Sequence, residues 1–183
     1  MEINAVGMVE FNSIVQGIDS TDAMCKVADV TLLVSKTICP GKYISIVAGD
    51  TSAVQQSVAA GEDKAPECVV DSFIIPNIHS SLIPAIAGTT SVEHVKAVGL
   101  IETFSVAALM EAADLALKTG EVEPLRLHMA FGIGGKAFVA LSGDVAAVKE
   151  AVAVGSSLAA NRGQLVRSIV IPRPHPMVVE NLI

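Results

Sequence analysis

One block of sequence occurs twice in this chain, and that constrains the fold more than any other feature. Ala5-Val6-Gly7-Met8-Val9-Glu10 returns as Ala97-Val98-Gly99-Leu100-Ile101-Glu102, an offset of 92. The same offset pairs Ser13 with Ser105, Asp22 with Asp114, Lys26 with Lys118 and Leu33 with Leu125. It grows to 94 at Gly41-Lys42 and Gly135-Lys136, at Gly49-Asp50 and Gly143-Asp144, and at Gly61 and Gly155. It ends at 96, where Ile75-Pro76 meets Ile171-Pro172 and His79 meets His175. An ordered series of matches with insertions only at Gly/Pro loops is the mark of a duplicated structural unit. The domains are expected at 1–80 and 97–183, joined by a connector over 81–96.

Within each copy the pattern reads βαββαβ. Strands are expected at Gly7–Phe11, Thr31–Lys36, Tyr43–Ala48 and Val69–Ile75, and at Gly99–Thr103, Leu125–Met129, Ala137–Leu141 and Leu165–Ile171. The first helices cover about Ile14–Ala28 and Val106–Thr119. Ile14, Ile18, Cys25 and Ala28 recur at helical spacing and predict a face turned to the core. The second helices open at the N-cap residues Asp50 and Asp144, with stops expected near Gly61 and Gly155. The fold class is therefore α/β of the α+β kind, two tandem ferredoxin-like βαββαβ domains.

Composition narrows the setting. The 183 residues are 51% hydrophobic, 17% charged and 3% aromatic, which excludes intrinsic disorder. The longest uncharged stretch, Ser72 to Val92, holds Pro76, Pro84, Asn77 and His79, so it does not read as a membrane-spanning helix. The N-terminus carries Glu2 and Glu10 without a basic flank, so no signal peptide is expected and the setting reads as cytoplasmic. So little polar surface is consistent with burial between subunits. The net charge of −7 falls mainly on residues 1–90, with no basic stripe and few aromatic rings; nucleic acid is a poor partner.

The second copy contains Gly99-Leu100-Ile101-Glu102-Thr103, then Gly143-Asp144-Val145-Ala146-Ala147-Val148, then Ile171-Pro172-Arg173-Pro174-His175. This order resembles a bacterial microcompartment shell domain, and the tandem resembles the double-domain shell proteins, with both copies unpermuted. Leu33–Lys42 and His128–Lys136 narrow the resemblance to the T-type shell proteins of propanediol-utilisation compartments. It implies a structural protein rather than an enzyme, a homotrimer forming a pseudo-hexameric tile, and association with other shell proteins and with encapsulated redox enzymes. It also implies a central pore lined by Thr37, Ile38, Pro40 and Gly41 and by Ala130, Phe131, Gly132, Ile133 and Gly134. Lys26, Lys118 and Arg173 carry over to tile edges. Asn77 stands where the second copy has Arg173, so the two kinds of edge differ.

The three cysteines have no CxxC spacing, so no zinc or cluster motif lies within one chain. Cys25 matches Leu117 and reads as a buried hydrophobe; Cys68 reads as an inert residue opening a strand. Cys39, in the loop Thr37-Ile38-Cys39-Pro40-Gly41, differs. At a three-fold axis one such cysteine per chain supplies three thiolates, enough for three irons of a [4Fe–4S] cluster. The resemblance implies that role for Cys39, serving electron transfer across the shell or cluster delivery. Two alternatives stay open: a plain tile whose pore conducts metabolites with Cys39 merely lining it, and, more distantly, a small-molecule sensor. Gly132-Ile133-Gly134-Gly135-Lys136 lacks the Ser/Thr and helix start of a phosphate loop, and no Ser/His/Asp set or carboxylate pair marks an active site. Glu10 and Glu102 read as structural or interfacial.

Overall fold

The computed structural model describes residues 3–90 and 95–182. The chain divides into two units, Met1–Ile78 and His79–Ile183. The first holds β1 (Ala5–Phe11), α1 (Ile14–Val27), β2 (Thr31–Ile38), β3 (Lys42–Gly49), α2 (Thr51–Lys64), a 3-10 turn (Pro66–Cys68) and β4 (Val69–Pro76). The second holds α3 (Leu82–Ala87), β5 (Ala97–Thr103), α4 (Val106–Thr119), β6 (Val122–Met129), β7 (Ala137–Gly143), α5 (Val145–Asn161), β8 (Leu165–Pro172) and α6 (Pro176–Glu180). Each unit is a four-stranded antiparallel sheet, ordered β2-β3-β1-β4 and β6-β7-β5-β8, with helices packed on it. This is the α+β, tandem βαββαβ architecture that the sequence predicts. The 79–90 stretch is not bare linker: it carries α3, which packs on β6 and α4 within the second unit. His94 lies outside the described residues.

The central strands are the most apolar because both neighbours and a helix layer cover them; every residue of β1 is buried. Register fixes which side chains meet. Met8 lies opposite Ile46 and Phe73, and Leu100 opposite Ala140 and Ile169. In the first unit Val9, Phe11, Met24, Tyr43, Val47, Val54 and Val58 form one core cluster, with Cys68 and Val69 packed at its margin. Cys68 ends the 3-10 turn, and β4 starts one residue later.

Helix α1 turns a different face inward from the one its apolar periodicity predicts. Gly17, Ser20, Thr21 and Met24 are buried, whereas Ile14, Ile18 and Cys25 are exposed. On that inward face Thr21 finds partners, while the Ser20 hydroxyl is buried without one. Thr21 Oγ1 donates to Gly17 O at 2.6 Å and is hydrogen-bonded to Ser45 Oγ on β3, and Ser57 Oγ of α2 donates to Met24 O at 2.9 Å. Satisfied hydroxyls can occupy a core at little cost. The matching positions of the second unit, Ala113, Val139 and Ala151, are apolar and buried. One architecture is thus held by hydroxyl contacts in one copy and by aliphatic contacts in the other.

The glycines expected to stop the second helices lie inside them. α2 continues past Gly61 to Lys64, and α5 past Gly155 to Asn161. Their role is close approach. A Cβ on Gly61 would fall 2.7 Å from Met24 Cγ, and one on Gly155 would fall 2.7 Å from the Ala112 carbonyl oxygen.

Candidate functional site

The β2–β3 hairpin presents Cys39. Antiparallel register pairs Thr37 with Tyr43 and Ile38 with Lys42, leaving residues 39–41 as the turn. Ile38 is buried at the base, Thr37, Pro40 and Gly41 are exposed, and the Cys39 thiol is free and half-buried. The Cys39–Pro40 peptide bond is cis, and Gly41 adopts a φ of 73° with open space around it. Proline and a left-handed glycine together make the compact turn that the sequence implies.

The base of this loop is anchored by an ion pair. Lys42 Nζ lies 2.7 Å from Glu10 Oε1, and the carboxylate of Glu10 sits in the sheet with only 4% of its side chain exposed. The pair recurs in the second unit as Lys136 and Glu102, at 2.5 Å. Both glutamates and both lysines occupy matching repeat positions, and that match was the signal from which the pairing could have been read.

The β6–β7 loop covers residues 130–136. Ala130 is buried with a φ of 53°, and Gly132, Gly134 and Gly135 also have positive φ. Ile133 is half-buried and Phe131 projects, 63% exposed. His128 braces the loop: its Nε2 is hydrogen-bonded to Phe131 O at 2.6 Å, and its ring stacks on Phe138 with centroids 5.4 Å apart.

The carried-over edge residues fall on two kinds of site. Lys26 and Lys118 end the first helices, each 2.5 Å from an aspartate one turn back, Asp22 and Asp114. The Asp22 hydrogen bond, and then its charge, hold Lys26 above the ordinary lysine pKa. Arg173 lies in the turn after β8 with a φ of 49°, and Asn77 occupies the matching turn after β4 with a φ of 51°. Both are exposed. Beyond these turns each histidine ring is hydrogen-bonded to a residue two positions on. His79 Nδ1 is hydrogen-bonded to Ser81 Oγ at 2.7 Å, and His175 Nδ1 accepts from the Met177 N–H at the start of α6.

Among the described residues no three His, Cys, Asp or Glu side chains converge to hold a metal ion, and no helix is long and apolar enough to cross a membrane. Burial followed by the Asp22 charge pushes the Cys25 thiol pKa up.

Duplicated four-stranded units with paired hairpin loops match a known family. The model of the BMC domain matches residues 5–78 and again 97–174, so the chain belongs to the BMC-domain family. Its relatives make it a structural shell protein of bacterial microcompartments rather than an enzyme. It is 52% identical over 171 residues to the bacterial microcompartment shell protein PduT of Citrobacter freundii, covering 93% of each chain. It is 31% identical to the carboxysome assembly protein CcmO of Synechococcus elongatus over 97% of this chain and 68% of that one. A crystal structure of a microcompartment protein from Desulfitobacterium hafniense superposes with a TM-score of 0.94 at 49% identity, covering 98% of this chain and 99% of that one.

Proposed function

We propose that three copies of this chain close into a homotrimer of six BMC domains, a pseudo-hexameric tile that packs against other shell proteins. A cyclic trimer closes on itself while leaving its outer rim for further association. In this reading the β2–β3 and β6–β7 loops line a central pore, and Lys26, Lys118 and Arg173 lie at the rim.

We further propose that Cys39 from three chains holds a [4Fe–4S] cluster in that pore. The observation carrying this reading is the half-exposed, free thiol at the tip of a short hairpin anchored by Glu10 and Lys42. One chain supplies one thiolate there, so the donor set fits a cluster only when shared by three chains, with the fourth iron left to a non-protein ligand. When bound, the cluster supplies one-electron transfer across the shell or a unit for delivery to encapsulated redox enzymes. The exposed Phe131 ring and the amides of Gly132–Gly135 are suited to wall it from bulk water, which tunes potential.

Anaerobic purification followed by iron and acid-labile sulfide analysis tests the assignment. About four irons per three chains are expected, with an EPR signal on reduction, and Cys39→Ser loses both while keeping its oligomeric mass. Iron and sulfide retained by Cys39→Ser would overturn it. A second reading, a plain tile with a metabolite-conducting pore, is favoured by the lack of any multi-ligand group among the described residues of one chain. Iron-free wild-type protein from anaerobic cells would establish that reading.

A further inference from the structure

The second unit holds a cavity whose lining differs from the matching positions of its twin. About 630 Å³ of space lies between segment 79–81, the end of α4 and the adjoining ends of β6 and β7, a volume typical of small-molecule sites. Lys118, Thr119, Glu121, Glu123 and Ser142 line it, with Leu117 and Val122 as the apolar wall. All of them belong to the same unit.

The repeat positions of Thr119, Glu123 and Ser142 in the first unit are Val27, Thr31 and Ala48. The backbone frame is the same, because Glu123 lies opposite Ser142 as Thr31 lies opposite Ala48. Three positions around one cavity are thus more polar in the second copy. Ser142 is only 2% exposed, and its Oγ has no hydrogen-bond partner. Burying a hydroxyl unpaired costs stability that the alanine of the first copy does not lose, so a hydroxyl on this wall calls for a partner that enters the cavity.

The chemistry of that partner follows from what the walls leave unmatched. Lys118 Nζ lies 2.5 Å from Asp114 Oδ2, so its charge is already met. Thr119 Oγ1 donates its proton to Leu115 O, which leaves it only lone pairs to offer. Glu121 and Glu123 are exposed, and among the described residues neither has an ion-pair partner. The cavity is left with a surplus of negative charge and of acceptors, which suits a positively charged donor and repels an anion. Among the described residues no three His, Cys, Asp or Glu side chains converge there, so the two carboxylates do not make a metal centre.

We infer that this cavity binds a small organic ammonium ion. The ion donates its N–H groups to Glu121, Glu123 and Ser142 Oγ, and its carbon chain lies along Leu117 and Val122. The site goes beyond the trimer and the cluster proposed above and depends on neither.

Isothermal titration calorimetry of the full chain tests this, with putrescine, a linear diammonium ion, as the probe. Saturable binding of one ion per chain is expected, weakened about tenfold or more by Glu123→Gln and by Ser142→Ala. Butane-1,4-diol, which has the same carbon chain without the charge, is expected not to saturate. Ser142→Ala installs the residue of the first copy and removes an unpartnered hydroxyl, so its melting temperature without putrescine is expected not to fall, and its loss of binding is then not a loss of fold. Absence of saturation, equal uptake of the diol, or affinity unchanged in both variants overturns the site. So does a Ser142→Ala chain that melts lower than wild type without putrescine, since the hydroxyl is then already satisfied by water.

Discussion

Lys42 on β3 reaches to the neighbouring strand β1 and a glutamate, Glu10, whose carboxylate is almost wholly inside the protein, while the same pair in the second unit, Lys136 and Glu102, stays wet. Side-chain exposures of 31% and 4% in one copy against 42% and 34% in the other set two different energies on one geometry. Removing one partner of a buried pair strands the other charge in low dielectric, whereas a solvated pair loses little.

Lys42→Met is therefore expected to destabilise the first unit by about 3 kcal/mol, and Lys136→Met the second by less than about 1 kcal/mol. Urea denaturation of each variant measures the difference. Equal losses would show that the Glu10 carboxylate finds water that the geometry denies it.

The two helix-interior glycines give an asymmetric pair. At Gly155 the added methyl meets the backbone oxygen of Ala112, which cannot move without shifting α4; at Gly61 it meets the flexible end of Met24. Gly155→Ala is expected to cost about 2–3 kcal/mol and Gly61→Ala about 1 kcal/mol or less, since overpacking is tolerated where a side chain can rotate away. Thermal melts of the two variants give the order.

Helix capping differs between copies in the same way. Asp50 Oδ1 accepts the Ala53 N–H at 2.9 Å, so Asp50→Ala is expected to cost about 1 kcal/mol. Asp144 instead takes Lys96 Nζ at 2.8 Å in a pair with both side chains 71% exposed, and Asp144→Ala is expected to cost less than half as much. Chemical denaturation distinguishes the two.

Lys36, on β2, has its pKa lowered from the ordinary 10.5 by burial. The unfolded chain therefore binds the proton more tightly, so stability rises with pH between the folded and unfolded pKa values. Lys36→Met is expected to stabilise the protein near neutral pH by a few tenths of a kcal/mol, discounted for its partial exposure. That gain shrinks as pH rises through the lowered pKa towards 10.5. Denaturation midpoints across the alkaline range record it.

The order of elements was readable because duplication doubles every signal: a strand inferred at Gly7 was tested again at Gly99. The capping aspartates and the proline-ended last strands were local chemistry and stood at the surface of the sequence. The orientation of α1 was not readable. Its apolar stripe Ile14–Ile18–Cys25 satisfies helical periodicity, yet Thr21 faces inward to meet the hydroxyl of Ser45, and Ser57 donates to the Met24 carbonyl of the same helix, both partners distant in sequence. Gly61 and Gly155 misled for a related reason: a glycine that ends a helix and one that admits a neighbour look alike until the neighbour is placed. At the candidate site the hairpin and its cysteine were legible, but the salt bridge at its base required knowing that β1 and β3 are adjacent.

The left-handed turn shared by Asn77 and Arg173 bears on how such a chain evolves. Asparagine enters that conformation readily, while arginine pays strain for it. In a protein assembled from single-copy units, any change at that turn would be imposed on every position at once. Fusing two copies in one reading frame lifts that requirement. One turn can retain the unstrained residue and the fold it secures, while its twin is free to experiment with a cation, and selection can act on the two turns separately.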